Sequence, residues 1–421
     1  MKLIIVKDPK VLIMKKKIYQ PLTAEENVLN LARDWFEDEK KGDSGSRKRT
    51  QILLKKFLLE TADGTFTLLS SESPKARESM HTVQGALYEA QEKFFGPANL
   101  KGREEISILD ICSGLGYNAA AALEGLKEVR TKIKIDMVEI SPEILAVSLL
   151  LPNPLKSHKI VQQFIEEKLI NNGYLVFEGG KMEIPSNLEV NIHCKDARDF
   201  IKGIKPYDHE LYDAVFLDPF SPGKTPELYS KEFFQGLSGL IKKNGLILTY
   251  TSAAPVRSAL MMAGFQVGEG PSLGRRGGTM ATPSISMIPK SLNMDDERMI
   301  ALSDAGIPFR DPGLYSSAEE IFERREIERK TARGYYKLAS TVKTPVYLNR
   351  EIKNHRLKRR VLEHLEQIGI MGLNSSIPRY LVCPQFSECI CNCGQEKIIG
   401  SKDRINEMTN RLNKILQGES F

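Results

Sequence analysis

The chain has 421 residues, 41% hydrophobic and 27% charged, and its 60 lysines and arginines against 54 aspartates and glutamates give a net charge of +6. These values exclude a wholly disordered chain, a collagen-like fibre and a polytopic membrane protein. The length allows two or three domains, and so mild a basic excess matters only through where it sits.

The start, Met1-Lys-Leu-Ile-Ile-Val-Lys7, holds an apolar run too short for a signal-peptide core. No stretch approaches the roughly 20 apolar residues of a membrane span, so the expected compartment is the cytoplasm, with no membrane partner. Residues 1–100 form an N-terminal region, partly substrate-facing. Within it 40–56 carries Lys40, Lys41, Arg47, Lys48, Arg49, Lys55 and Lys56 against Asp43 alone. That run reads as a solvated loop between helices or as a phosphate-contacting patch.

Residues 101–290 alternate strand and helix. Ile106–Ile111 reads as a buried strand, followed by a Gly-rich turn and a helix over Ala119–Glu124. Lys132–Glu139 alternates as a second strand, and a helix opens at Ser141-Pro142, where proline suits the first helical position. Val190–Cys194, Tyr212–Asp218, Gly245–Tyr250, Phe265–Val267 and Ser284–Ile288 are further strand candidates. Such alternation predicts an α/β doubly wound, Rossmann-like domain with a mostly parallel sheet. Residues 291–421 read as a mainly helical extension. Ser316-Ser-Ala-Glu319 gives a capping-box pattern ahead of a charged helix ending near Gly334. A second basic stretch holds Arg350, Lys353, Arg356, Lys358, Arg359 and Arg360.

The run Leu109-Asp-Ile-Cys-Ser-Gly-Leu-Gly-Tyr-Asn118 places Asp110 on the first strand and Gly114 and Gly116 in the turn, with Asn118 opening the helix. Ligands of open α/β sheets bind at these strand ends. Glu139 ends the second strand, where a carboxylate can take both ribose hydroxyls, and Asp196-Ala197 follows the third, within reach of the base. Cys112 stands where a dinucleotide fingerprint has its first glycine and Ala119 where it has its third. With the early acidic Asp110, these departures favour S-adenosyl-L-methionine over a nicotinamide dinucleotide.

Asp213-Ala-Val-Phe-Leu-Asp-Pro-Phe-Ser-Pro-Gly-Lys-Thr-Pro-Glu-Leu-Tyr229 closely resembles the methyltransferase half of the MnmC family, whose run reads Asp-Ala-x-Phe-Leu-Asp-Gly-Phe-Ala-Pro-x-Lys-Asn-Pro-x-Met-Trp. Glu60–Leu68, the His81…Gly85-Ala-Leu-Tyr-Glu89 run, and Thr249-Tyr-Thr-Ser-Ala…Val256-Arg257…Gly274-Arg-Arg-Gly-Gly278 agree with it. The resemblance covers about 60–290. It implies methylation of the aminomethyl group on the wobble uridine of certain tRNAs, giving 5-methylaminomethyl-(2-thio)uridine. It also implies Asp218 as the catalytic aspartate and Asp110, Gly114, Gly116, Glu139 and Asp196 at cofactor positions. His81, Phe220, Lys224, Tyr229, Arg275 and Arg276 are the expected substrate contacts: phosphate partners and a stacking surface for an extruded base. Pro219 in place of the family's glycine, and Leu115-Gly-Tyr-Asn in place of Thr-Gly-Leu-Asn, are departures. The flavin oxidase half of the bifunctional members has no counterpart in the sequence, so either a separate enzyme is expected to make the aminomethyl substrate or the substrate differs.

Cys383, Cys389, Cys391 and Cys393 place four thiols within eleven residues. Zn²⁺ or an iron–sulfur cluster, reactive thiols, and a metal-free structural role all remain open. The spacing matches neither a zinc finger nor a ferredoxin, though alternate residues of an extended segment would put the last three on one face. Among functions, the alternatives are methyl transfer to a protein side chain or small amine, aminopropyl transfer, and RNA binding by a vestigial fold.

Overall fold

The computed structural model describes residues 21–72, 76–127, 131–152, 154–204, 210–273 and 276–418. The apolar runs form a seven-stranded sheet of β1 (Glu105–Ile111), β2 (Lys132–Glu139), β3 (Leu188–Cys194), β4 (Tyr212–Leu217), β5 (Ile241–Thr249), β6 (Gln266–Leu273) and β7 (Arg276–Thr282). Their spatial order is β3-β2-β1-β4-β5-β7-β6. The first five pair in parallel, and β7 runs antiparallel to both β5 and β6.

Strand periodicity divides the core. Ile106 and Ile108, Ala214 and Phe216, and Leu246 and Leu248 point to one face, packing with Trp35, Phe94 and Leu126. Leu109 and Ile111, Val215 and Leu217, and Ile247 point to the other, against Leu302, Leu348, Val361 and Leu412 of the C-terminal region. Both faces are covered, so the parallel strands read as nearly continuous apolar runs. The last 130 residues therefore share a core with the sheet. No helix among the described residues is long and apolar enough to cross a membrane.

Three expectations are corrected. Ser284–Ile288 is not a strand; its Ile285–Met287 portion is a short 3₁₀ turn, and the final strand is Arg276–Thr282, which starts within the Gly274–Gly278 run. Gly277 and Gly278 hide that strand from propensity reasoning, which disfavours glycine. Close backbone approach requires Gly278, because a Cβ there would lie 2.3 Å from the Thr249 carbonyl oxygen. Gly278→Ala is expected to cost about 1–3 kcal/mol through overpacking, read as a lowered denaturant midpoint at unchanged slope.

The second correction concerns the capping box, which lies one residue on. Ser317 and Glu320 exchange the two hydrogen bonds and start the helix Ala318–Ala332. Doubled serines and glutamates satisfy the pattern in two registers, and the structure selects the second. Finally, 40–56 is not a loop: Ser46–Leu54 is helical. Part of its charge is internally paired, with Arg47 on Glu166 and over the Trp35 ring, and Arg49 on Asp38 and Asp43.

Candidate active site

The C-terminal ends of β1, β2 and β4 open onto a cavity of about 400 Å³. The turn after β1 is shaped by positive φ at Gly114 (51°) and Gly116 (83°), where a side chain would be strained. Cys112 takes φ 62° without being glycine, so local strain is stored at the cavity wall it lines. Gly116 is pressed against Val161, a Cβ there lying 3.1 Å from the valine methyl, and serves the turn without lining the cavity.

Of the expected residues, His81, Gly114, Asn118, Glu139, Asp196, Ala197, Asp218 and Phe220 line one cavity. Asp110 is fully buried behind it and reaches it through Asn118. The Asn118 Nδ2 donates to Asp110 Oδ1 at 3.3 Å and to Asp218 Oδ2 at 3.2 Å, tying together carboxylates from two adjacent strands. Burial pushes Asp110 up to about 7, against the stabilising bond from Asn118. Burial also drives Asp218 well above the ordinary carboxylate range, with Asn118 opposing and Glu89 adding to the rise. Glu139 is raised by burial, opposed by the backbone N–H groups of Ser141 and Gly114, each donating to it at 3.0 Å. Asp196 caps the helix Ala197–Gly203, accepting from the Arg198 N–H at 2.8 Å, and pairs with the Arg198 guanidinium at 3.0 Å.

Other expected residues are placed differently. Tyr229 is fully buried and offers no stacking surface; its hydroxyl reaches the Pro219 carbonyl at 3.4 Å, beside the Tyr250 hydroxyl at 3.0 Å. Lys224 lies outside the main cavity and is engaged by Glu72 and the Ala76 carbonyl, so it clamps a loop. Arg275 lies outside the described residues; Arg276 enters β7 by its backbone, and its side chain is also outside them. The four C-terminal cysteines converge, but none lines the cavity.

The structure also adds residues to the site. Glu78 crosses from the N-terminal region to accept from Ser221 Oγ at 2.6 Å and Ser221 N at 3.1 Å, fixing the loop after Asp218. Glu89 and Lys93 form an ion pair at the wall, and Lys93 lies 5.7 Å from the Tyr250 ring centre. Lys93 sits in a π-helical stretch, Ala90–Phe95, a rare form that recurs at functional sites. Tyr117, Tyr250 and Phe220 give the cavity aromatic walls. Glu89 and Tyr250 fall inside the runs shared with the family, which was the available signal; Glu78 and Lys93 carry none.

The cavity suits S-adenosylmethionine. Ser113 Oγ and Asp110 Oδ2 are buried without a hydrogen-bond partner among the described residues, which leaves polar demand at the glycine turn for a ligand to meet. His158 braces that turn, its Nε2 2.8 Å from the Leu115 carbonyl. Burial lowers His158 to about 4. The unfolded chain therefore takes up a proton below about pH 6.5 that the folded chain refuses until about pH 4, and stability falls as pH drops through that window. His158→Gln is expected to flatten the decline, checked by melting temperature against pH.

Sheet order, turn and strand-end carboxylates define a class I S-adenosylmethionine-dependent methyltransferase. Residues 157–284 match the family described as S-adenosyl-L-methionine-dependent methyltransferase, and the crystal structure of MNMC2 from Aquifex aeolicus is similar at TM-score 0.52 and 28% identity, covering 73% of this chain and 100% of that one. The chain belongs to the MnmC-like methyltransferases. The uncharacterized protein MJ0670 of Methanocaldococcus jannaschii is 37% identical over 321 residues, 76% of this chain and 83% of that protein. The tRNA 5-methylaminomethyl-2-thiouridine biosynthesis bifunctional protein MnmC of Ralstonia nicotianae is 26% identical over 207 residues, 47% of this chain and 30% of that protein. The match thus spans less than a third of the bifunctional protein.

Proposed function

We propose that the protein methylates the aminomethyl nitrogen of 5-aminomethyl-(2-thio)uridine at the tRNA wobble position, with Asp218 as the catalytic carboxylate. The observation that carries this reading is Asp218 itself: a half-buried strand-end carboxylate, oriented by Asn118, at the wall of an aromatic cavity. The acceptor amine arrives as an ammonium ion and must lose a proton before it can attack. Desolvation raises the proton affinity of Asp218, the direction a base toward an ammonium ion requires. S-adenosylmethionine supplies a sulfonium methyl: the nitrogen lone pair forms the new N–C bond, the C–S pair returns to sulfur, and a neutral thioether leaves. Glu139, Asp196 and the Gly114 turn would hold its adenosine portion, and Ser113 with Asn118, the latter backed by Asp110, its polar tail. The proton taken up by Asp218 would then pass to solvent, and the regenerated carboxylate would steady the methylated ammonium until release.

Phe220, Tyr250 and Tyr117 provide flat apolar surface for an extruded pyrimidine, and His81, held neutral by burial that lowers it to about 4, adds no charge beside the ammonium. A second enzyme class, one producing the primary aminomethyl group, must act beforehand. The same site fits a protein side chain or small amine less well, because neither needs so wide an aromatic enclosure. Deletion of the gene with mass spectrometry of tRNA nucleosides tests the proposal. Loss of 5-methylaminomethyl uridines with accumulation of the aminomethyl form is expected; unchanged nucleosides would exclude the tRNA substrate.

A further inference from the structure

The segment 385–399 contains no buried residue and no helix or strand beyond the end of one 3₁₀ turn. It joins two packed helices, Ser376–Val382 and Ser401–Leu416. Only Phe386 and Ile390 of it pack, half-buried, against the core, and the four cysteines, Cys383 just before it and the other three within it, are the groups that converge there. Their sulfurs all lie within 4.8 Å of one another. Cys383 to Cys389 is 3.8 Å, Cys389 to Cys391 4.0 Å, and Cys389 to Cys393 3.8 Å. The approach is not that of an extended strand: Asn392 (φ 65°) and Gly394 (φ 71°) turn the chain around the sulfurs.

We propose that Cys383, Cys389, Cys391 and Cys393 bind a single structural Zn²⁺ as a closed tetrathiolate site, with Arg411 as its counter-ion. Four sulfurs about 2.3 Å from one tetrahedral ion stand about 3.8 Å apart, and the three separations from Cys389 lie at 3.8–4.0 Å. An iron–sulfur cluster distributes its thiolates over different irons and holds them farther apart, so the spacing favours one ion. Disulfide bonding is excluded at these distances. The site is closed, with four protein ligands and no position left for substrate, as structural zinc sites are.

Arg411 supplies a second, independent observation. Its side chain is buried, its Nη2 is 3.5 Å from Cys393 Sγ and its Nη1 4.0 Å from Cys391 Sγ, and Nη1 also donates to the Tyr380 carbonyl at 2.6 Å. Binding releases four thiol protons to solvent and leaves a zinc–thiolate centre of charge −2, which a guanidinium in that position offsets. The Ile390 N–H, 3.4 Å from Cys383 Sγ, adds the outer hydrogen bond usual for a metal-bound thiolate. Gln385, two residues after Cys383, donates to Glu297 at 2.8 Å and accepts from Arg298 at 2.7 Å. The ion thus helps to fasten this sparsely packed loop onto the helix Met294–Leu302, on the sheet face opposite the N-terminal helices.

Elemental analysis of the full-length protein purified without added metal is the test, and it is independent of the tRNA assignment. The expected result is one zinc per chain, with Co²⁺ exchange giving the sulfur-to-metal charge transfer of tetrahedral thiolate ligation. Cys391→Ser is expected to lose the metal and Cys194→Ser to keep it. Arg411→Gln is expected to weaken zinc roughly 10–100-fold in chelator competition. Chelation should open 385–399 to protease while the sheet core stays resistant. Iron with visible absorption would mean a different centre. Four titratable thiols in folded, metal-free wild-type protein would overturn the proposal, and this reading holds even if a variant fails to fold.

Discussion

Asp218→Asn is expected to lower the rate of methyl transfer by roughly 10²–10⁴-fold, the usual worth of a positioned general base, while S-adenosylmethionine binding changes little. The amide preserves volume and can still accept from Asn118, whose Nδ2 lies 3.2 Å from the present carboxylate. It cannot take a proton from an ammonium ion. Single-turnover kinetics with titration calorimetry separate the two effects. Weak cofactor binding with normal chemistry once bound would instead assign Asp218 to the cofactor, and an unaffected rate would remove it from the reaction.

Asp311→Ala is expected to destabilise the fold by about 3–5 kcal/mol, because it deprives a buried cation of one carboxylate. Arg198, 2% exposed, donates to Asp311 at 2.9 Å and pairs with Asp196 at 3.0 Å. Asp311 also accepts from the backbone N–H groups of Tyr315 and Ser316, at 3.1 and 3.0 Å. This network joins the C-terminal region to a residue of the cavity wall, so weaker S-adenosylmethionine affinity should accompany the lost stability. Denaturant unfolding and cofactor titration on one preparation check both. Lost stability with unchanged affinity would mean that Arg198 does not help to position Asp196.

The parallel strands were legible because burial on both faces writes apolar runs into the sequence; Lys132–Glu139 occupies the expected residues. β7 was illegible because close packing there selects glycine, which carries no strand signal. The turn residues and strand-end acids could be named since each sits at a fixed offset from its strand. Glu78 could not: it meets Ser221 across 143 positions of sequence, and no local pattern encodes that approach. Tyr229 shows the converse limit. An aromatic beside a catalytic loop reads equally as a stacking platform or a buried support, and only packing, which leaves it fully buried with its hydroxyl on Pro219, separates them. The cysteines were conspicuous, yet their convergence depends on a left-handed residue at Asn392 that composition does not reveal.

Reaction of the purified protein with isotopically labelled S-adenosylmethionine and two tRNA preparations, one bearing 5-aminomethyl-2-thiouridine and one lacking the aminomethyl group, tests the central claim most directly. Labelled 5-methylaminomethyl-2-thiouridine from the first preparation alone, absent with Asp218→Asn, is the predicted result. No label in either tRNA from folded protein that binds the cofactor, or equal label in both, would contradict it.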